Sequence, residues 1–201
     1  LLDENLEFAF DDKLGYLTQC PTNLGTGMRA SVMLHLPALE KSRTIGRIAG
    51  NLSKLGLTIR GAYGEGSEPS GSLYQLSNQV TLGISEKAAI ENLENITKQL
   101  VSQEQQARER LAKSIDIQDS VSRSLGLLKS AMVMTHDEAL KLLSNVRFGI
   151  LSGQIKDVTA EVVDSLMEKI EPATLMVNAG KNLSAQERDI ERAKILREAL
   201  S

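Results

Sequence analysis

The apolar positions of this chain change their period near residue 83. Before it they come in short runs broken by Gly, Pro, Ser and Asn; after it they recur every three or four residues with few breaks. Alternation in LGYLTQ (14–19) predicts a strand feeding the loop that follows. RASVMLHL (29–36) predicts a second strand that Pro37 closes, and LTIRGAYG (57–64) and SLYQLSNQVTL (72–82) predict two more. Between the second and third, Leu39, Ile45, Ile48, Leu52 and Leu55 have helical spacing over 37–57, with Gly56 as the stop. The acidic opening, 1–13, reads as a lead-in. GEGSEPSGS (64–72) has the composition of a mobile lid, and equally of an idle surface loop.

Ser85 followed by Glu86 predicts the start of a long amphipathic helix reaching about residue 113 through Ile90, Leu93, Ile96 and Leu100. Within it, SQEQQARER (102–110) reads as a solvated face. Further helices are expected over 116–130, over 136–151 behind the capping box Thr135–Glu138, and over 159–179. Beyond Gly180 a last helix starts at the capping box Ser184–Glu187 and runs to the end. The pattern predicts an α+β fold: an antiparallel β-sheet flanked by helices over 1–110, followed by an all-helical C-terminal extension over 111–201.

Composition narrows the function classes. With 201 residues, 41% hydrophobic, a sizeable core is within reach; with 3% aromatics and no Trp it must be aliphatic. A net charge of −3 argues against non-specific nucleic-acid binding, which needs a basic field. A single cysteine excludes an internal disulfide and suits a reducing cytoplasm. No apolar run approaches the roughly 18 residues of a membrane span, and no signal peptide opens the chain. His35 and His136 are far apart and there is no Cys pair, so no metal site built from side chains is expected. His35 reads as a packed residue of its strand.

The chemistry concentrates in CPTNLGTGMRASVMLHLP (20–37). A thiol (Cys20), a glycine-bearing loop (Gly25, Gly27) and a guanidinium (Arg29) fall within ten residues of each other. Singly, these pieces are a buried thiol and a turn; together they suit an anionic ligand and a polar acceptor. There is no Gly-x-x-x-x-Gly-Lys-Ser/Thr loop, so a Walker-type nucleotide site is excluded.

CPTNLGTGMRASV resembles the signature of the phosphagen (guanidino) kinases. RGAYGEGSE (60–68) resembles that family's mobile Arg-Gly-x-x-Gly-Glu loop, and YQLSNQVTLGISE (74–86) is similar to the segment after it. RASVM, RGAYGE and ERDIERA (187–193) look most like the bacterial branch that phosphorylates arginine side chains of proteins. The resemblance implies a glutamine-synthetase-like catalytic domain using ATP and Mg2+, the ion being held mainly by the nucleotide and water. It implies arginine clamps at Arg29 and Arg60, whose planar forks bind phosphate oxygens in pairs. The adjacent nucleotide wall would be Ala30, Ser31, Val32 and Met33, with Gly61, Ala62, Tyr63, Gly64 and Glu65. Tyr63 stands where the metabolite kinases carry a basic residue.

A guanidinium with a pKa above about 12 is no nucleophile until it sheds a proton. Glu65 is the expected base and Cys20 the expected thiolate that positions and polarises the acceptor. In the tail, Arg188, Asp189, Ile190, Glu191, Arg192 and Ala193 match the motif of a phosphoarginine-binding allosteric pocket. The i, i+4 spacing of Arg188 and Arg192 would point both forks to one side. From spacing alone the same residues read as an ordinary charged helix surface.

The chain begins at Leu1, and the family's smaller N-terminal lobe is not in it, so a C-terminal portion of a longer enzyme is expected. The expected partners are proteins with exposed arginines, an activator subunit, a transcriptional repressor, Clp-type protease machinery and a second copy in a homodimer. Nucleic acid and membrane are not expected. A nucleotide- or phosphoarginine-binding module without activity, and a metabolite guanidino kinase, are the competing readings; the helical tail with RDIERA argues against the metabolite enzyme.

Overall fold

The computed structural model describes residues 4–61 and 70–201. Ala62, Tyr63, Gly64 and Glu65, and with them most of the expected lid, lie outside the described residues. In chain order the elements are β1 (Phe10–Asp11), β2 (Gly15–Tyr16), β3 (Ser31–His35), α1 (Pro37–Lys41), α2 (Ile45–Lys54), β4 (Leu57–Gly61) and β5 (Leu73–Asn78). Then follow α3 (Glu86–Leu111), α4 (Ile115–Ser130), α5 (His136–Leu151), α6 (Ala160–Lys169), α7 (Pro172–Ala179) and α8 (Ala185–Leu200). The fold is α+β with antiparallel pairing, as the periodicity implies.

β3, β5 and β4 form an antiparallel sheet with β5 in the middle. Because side chains alternate along a strand, the register sorts residues onto two faces. Val32, Leu34, Leu57, Ile59, Tyr74 and Leu76 share one face and pack with Leu36, Leu39, Leu52, Leu93, Leu100 and Phe148. Each fully buried leucine here contributes about 1.5–3 kcal/mol. Ser31, Met33, Thr58, Arg60, Gln75 and Ser77 share the other face. At one end of that second face, His35 pairs with Leu73 and the helical region covers both.

Three boundaries differ from the sequence reading. The lead-in contributes β1, which pairs with β2 across a turn closed by Asp11 Oδ1 accepting from the amides of Lys13 and Leu14. The helix expected over 37–57 is two helices, because Ser42 and Thr44 hydroxyls donate to the carbonyls of Ala38 and Leu39 and Arg43 takes φ 55°. The helix expected over 159–179 breaks before Pro172, whose ring cannot continue a helix from Glu171. The run 102–110 is not wholly solvated either. Glu104 is buried, and its two carboxylate oxygens accept from the amides of Ala38 and Leu39 at 2.9 Å, capping α1.

The Ser85, Thr135 and Ser184 caps all form, the last as a full reciprocal box. The helical region is joined to the sheet through polar contacts as well as core. Arg147 Nη1 lies 3.2 Å from His35 Nδ1, and Arg147 holds Asp164 through Nε (2.7 Å) and Nη2 (3.2 Å). Since a guanidinium can only donate, His35 Nδ1 accepts, and its Nε2–H donates to Ser144 Oγ at 2.8 Å. Burial first, then the Arg147 cation, lower the His35 pKa to about 3 against an opposing effect of Asp164.

This joint makes stability depend on pH. Below its ordinary pKa of 6.5 the unfolded chain takes up a proton that the folded His35 refuses until about pH 3. Stability therefore falls as pH drops through that window. His35→Gln, which can keep both hydrogen bonds, is expected to remove up to roughly 1.4 kcal/mol per pH unit of that slope. Urea unfolding at pH 4, 5 and 6 checks it; parallel slopes for the two proteins would contradict it.

Candidate active site

The 20–30 loop is held against the C-terminal end of β5 by two side chains. Thr81 Oγ1 lies 3.0 Å from the Thr22 carbonyl and 2.8 Å from that of Leu24, and the Thr81 carbonyl accepts from Thr26 N. The approach is so close at Gly25 (φ +109°) that a Cβ there would sit 2.2 Å from the Thr81 carbonyl oxygen, so only glycine fits. Asn78 brackets Arg29: its Oδ1 accepts from Ala30 N at 2.7 Å and its Nδ2 reaches the Met28 carbonyl at 3.1 Å and that of Val80 at 3.2 Å.

Cys20 is exposed at the start of a 3₁₀ turn, Pro21–Asn23. Its Sγ lies 3.0 Å from Thr22 Oγ1; that hydroxyl, then the Thr22 backbone amide, hold the thiol below its ordinary pKa. Arg29 donates from Nη2 to Ser77 Oγ at 3.3 Å, a neutral partner, and has no ion pair among the described residues. Arg60, on β4, opens onto the same cleft of about 490 Å³, which Thr22, Asn23, Thr58, Asn78, Gln79 and Thr81 complete. No carboxylate lines it among the described residues. Two guanidiniums and a rim of amides and hydroxyls make a receptor for a multiply charged anion.

Of the expected wall, Ser31 and Met33 lie on the face of Arg60, with Met33 half exposed. Ala30 and Val32 pack against the core instead, and Gly61 is buried opposite Tyr74. Glu65, Ala62, Tyr63 and Gly64 are not described. Thr22, Ser77, Asn78 and Thr81 were not singled out from sequence; their partners lie up to 59 residues away, and no local pattern marks them.

The tail motif is placed differently from the expectation that both forks share a side. Arg192 is 1% exposed, and it donates from Nε to the Ile170 carbonyl (3.1 Å) and from Nη1 to the Met134 carbonyl (2.9 Å) and Asp189 Oδ1 (2.5 Å). Arg188 is half-buried and donates to the Leu183 carbonyl at 2.8 Å. The carbonyls of Ile170, at the end of α6, and of Met134, just before α5, hold Arg192 inward, so the two forks serve different partners. Ile190 is exposed, Glu191 is half-buried beside Lys194, and Ala193 is buried. Among the described residues there is no cluster of three or more metal-ligating side chains, and no helix is long and apolar enough to cross a membrane.

Comparison with known proteins places these elements in context. Residues 1–107 match the family model of the ATP:guanido phosphotransferase C-terminal catalytic domain, and residues 114–201 match that of the protein-arginine kinase McsB C-terminal domain. The chain is 52% identical over its whole length to a protein-arginine kinase of Halothermothrix orenii, covering 58% of that protein. It is 50% identical to one of Clostridium kluyveri, covering 59%. It thus spans under two thirds of the length of these relatives. A crystal structure of lombricine kinase matches 57% of this chain and 30% of its own, at 36% identity and a TM-score of 0.47.

The bracket on Arg29 has a measurable cost of removal. Asn78→Ala leaves the Ala30 amide and two carbonyls without their partner, and is expected to cost about 1–3 kcal/mol. An unchanged urea midpoint would contradict the bracket.

Proposed function

Since the chain belongs to the ATP:guanido phosphotransferase family through its C-terminal catalytic domain, we propose that it is the catalytic portion of an ATP-dependent protein-arginine kinase. The observation that carries this is the cleft onto which both Arg29 and Arg60 open, with a rim of amides and hydroxyls. The match of residues 114–201 to a protein-arginine kinase domain, and the names of its relatives, favour protein arginine over a free metabolite as acceptor.

In this reading Arg29 and Arg60 grip the ATP phosphates, beside a wall formed by Ser31 and Met33 and by the segment 61–64. Mg2+ would be held mainly by the nucleotide and water and would offset phosphate charge. Glu65 takes a proton from the acceptor guanidinium. The freed nitrogen forms the N–P bond as the bond from the γ-phosphorus to the bridging oxygen breaks and ADP leaves, a transfer that rests on positioning and electrostatics. Cys20, as a thiolate, holds the other edge of the guanidinium without becoming covalently modified. The lowered thiol pKa supports that role.

The tail motif is proposed as a phosphoarginine-binding allosteric element over 188–193. Arg188 is then the reachable fork, while buried Arg192 holds Asp189 in place. The chain is proposed to divide into a catalytic lobe to about residue 110 and a helical regulatory region. It would act in the cytoplasm as a homodimer in stress response and protein quality control, with an activator subunit, a repressor and Clp-type protease machinery as partners. Because the relatives are longer, this chain alone is expected to be weak or inactive, and a nucleotide-binding module is the second reading.

The test is phosphoarginine formation on an arginine-rich protein with Mg·ATP, using the full-length enzyme that contains this chain. Acid-labile label on protein arginine is expected, reduced at least about 100-fold by Cys20→Ala and by Glu65→Ala. Label confined to free arginine or creatine would contradict the proposal, as would full activity in both variants.

A further inference from the structure

The thiol end of the 20–30 loop is tied to the sheet by one buried hydroxyl. Within the 3₁₀ turn Pro21–Asn23, the carbonyls of Cys20 and Pro21 accept from the amides of Asn23 (3.0 Å) and Leu24 (3.3 Å). As at any helix end, the carbonyls that follow need a donor from outside so short a turn. Thr81 Oγ1 supplies it on both sides of Asn23, 3.0 Å from the Thr22 carbonyl and 2.8 Å from that of Leu24. A hydroxyl has one proton, so the two carbonyls share it in a three-centre bond. Thr81 itself is buried.

The other attachments of this loop are of a different kind. Gly25 exchanges backbone bonds with Tyr16 of β2 (2.7 and 3.2 Å), and Thr26 N donates to the Thr81 carbonyl at 2.9 Å. Both hold residues 25–26 through backbone alone and are indifferent to the side chain at 81. Thr18 Oγ1 donates to the Cys20 carbonyl at 2.7 Å, a contact two residues long that moves with the loop. Thr22 therefore faces two ways. Its carbonyl meets Thr81, while its Oγ1 lies 3.0 Å from Cys20 Sγ. The Thr22 hydroxyl first, then the Thr22 amide, lower the thiol pKa against an opposing desolvation.

We propose that Thr81 is a positioning residue for phosphoryl transfer, its hydroxyl fixing Thr22 and, through Thr22, the Cys20 thiol beside the arginine cleft. Thr22 and Thr81 both line that cleft. What the thiol does there rests on the kinase reading; the tie that holds it does not. Without the Thr81 hydroxyl, residues 25–26 keep their backbone bonds and Arg29 keeps its bracket from Asn78. The loss then falls on the thiol and on the acceptor it orients, and the phosphate clamps are spared. Orientation of a reacting group is sensitive to displacements of about 1 Å, so one misplaced turn is enough to slow the transfer.

Thr81→Val keeps the shape of the side chain and deletes the hydroxyl, and Thr81→Ser keeps the hydroxyl. The first readout is the rate of iodoacetamide alkylation against pH in this 201-residue chain, whose single cysteine makes the signal that of Cys20 alone. In Thr81→Val the rate at neutral pH is expected to fall about threefold or more, with the midpoint of the profile moved upward. Thr81→Ser should retain the original profile. The second readout is arginine phosphorylation by the full-length enzyme. There Thr81→Val should lower kcat roughly tenfold with the KM for ATP changed by less than about twofold, and Thr81→Ser should restore it. An unchanged alkylation profile in Thr81→Val, even alongside a lower melting temperature, would make Thr81 a purely structural residue and overturn the proposal. So would a loss that falls on the KM for ATP alone. A full-length enzyme that phosphorylates no arginine would overturn the kinase reading instead, and the alkylation profile would still decide whether Thr81 holds the thiol.

Discussion

The alternation of side chains along β5 is the constraint on which the other placements depend. As the central strand it cannot shift register by one residue without exchanging Tyr74 and Leu76 for Gln75 and Ser77 in the core. With that register set, Ser77 meets Arg29 and Gln75 stands opposite Arg60. Asn78, the last residue of the strand, brackets the Arg29 backbone, and Thr81 just beyond pins the Cys20 loop. One strand therefore sets the positions of both guanidiniums and of the loop that carries the thiol.

The same polar face is divided between two occupants. Its Ser77 end opens onto the arginine cleft, and its Leu73 end is closed by α5 through His35, Ser144 and Arg147. Phe148 of α5 and Val121 of α4 also enter the core beneath the sheet. Lys41, Asn145 and Ser124 add a polar chain from α1 to α4. The helical region is thus built into the β3–β5–β4 sheet, and its removal would uncover both apolar area and a neutral histidine.

Local signals were legible in the sequence, and long-range ones were not. Hydrophobic spacing and the caps at Ser85, Thr135 and Ser184 located the helices because a cap acts within three residues of itself. Pro172 was an equally local stop that the apolar spacing on either side of it masked. Asn78 and Thr81 act on partners about 50 residues away, so they sit in a strand end that looks like any polar turn. Glu104 and Arg192 lie in charged helical runs and are buried only because another helix presents its backbone to them. Of the candidate site, the motifs supplied Cys20, Arg29 and Arg60, and the frame that holds them came from the fold.

The central claim is that the β5 cleft binds the phosphate chain of a nucleotide. A crystal structure of the full-length enzyme with Mg·ADP tests it most directly. The account predicts phosphate oxygens at about 3 Å from the guanidinium nitrogens of both Arg29 and Arg60. Phosphates bound elsewhere, with this cleft holding only solvent, would contradict it.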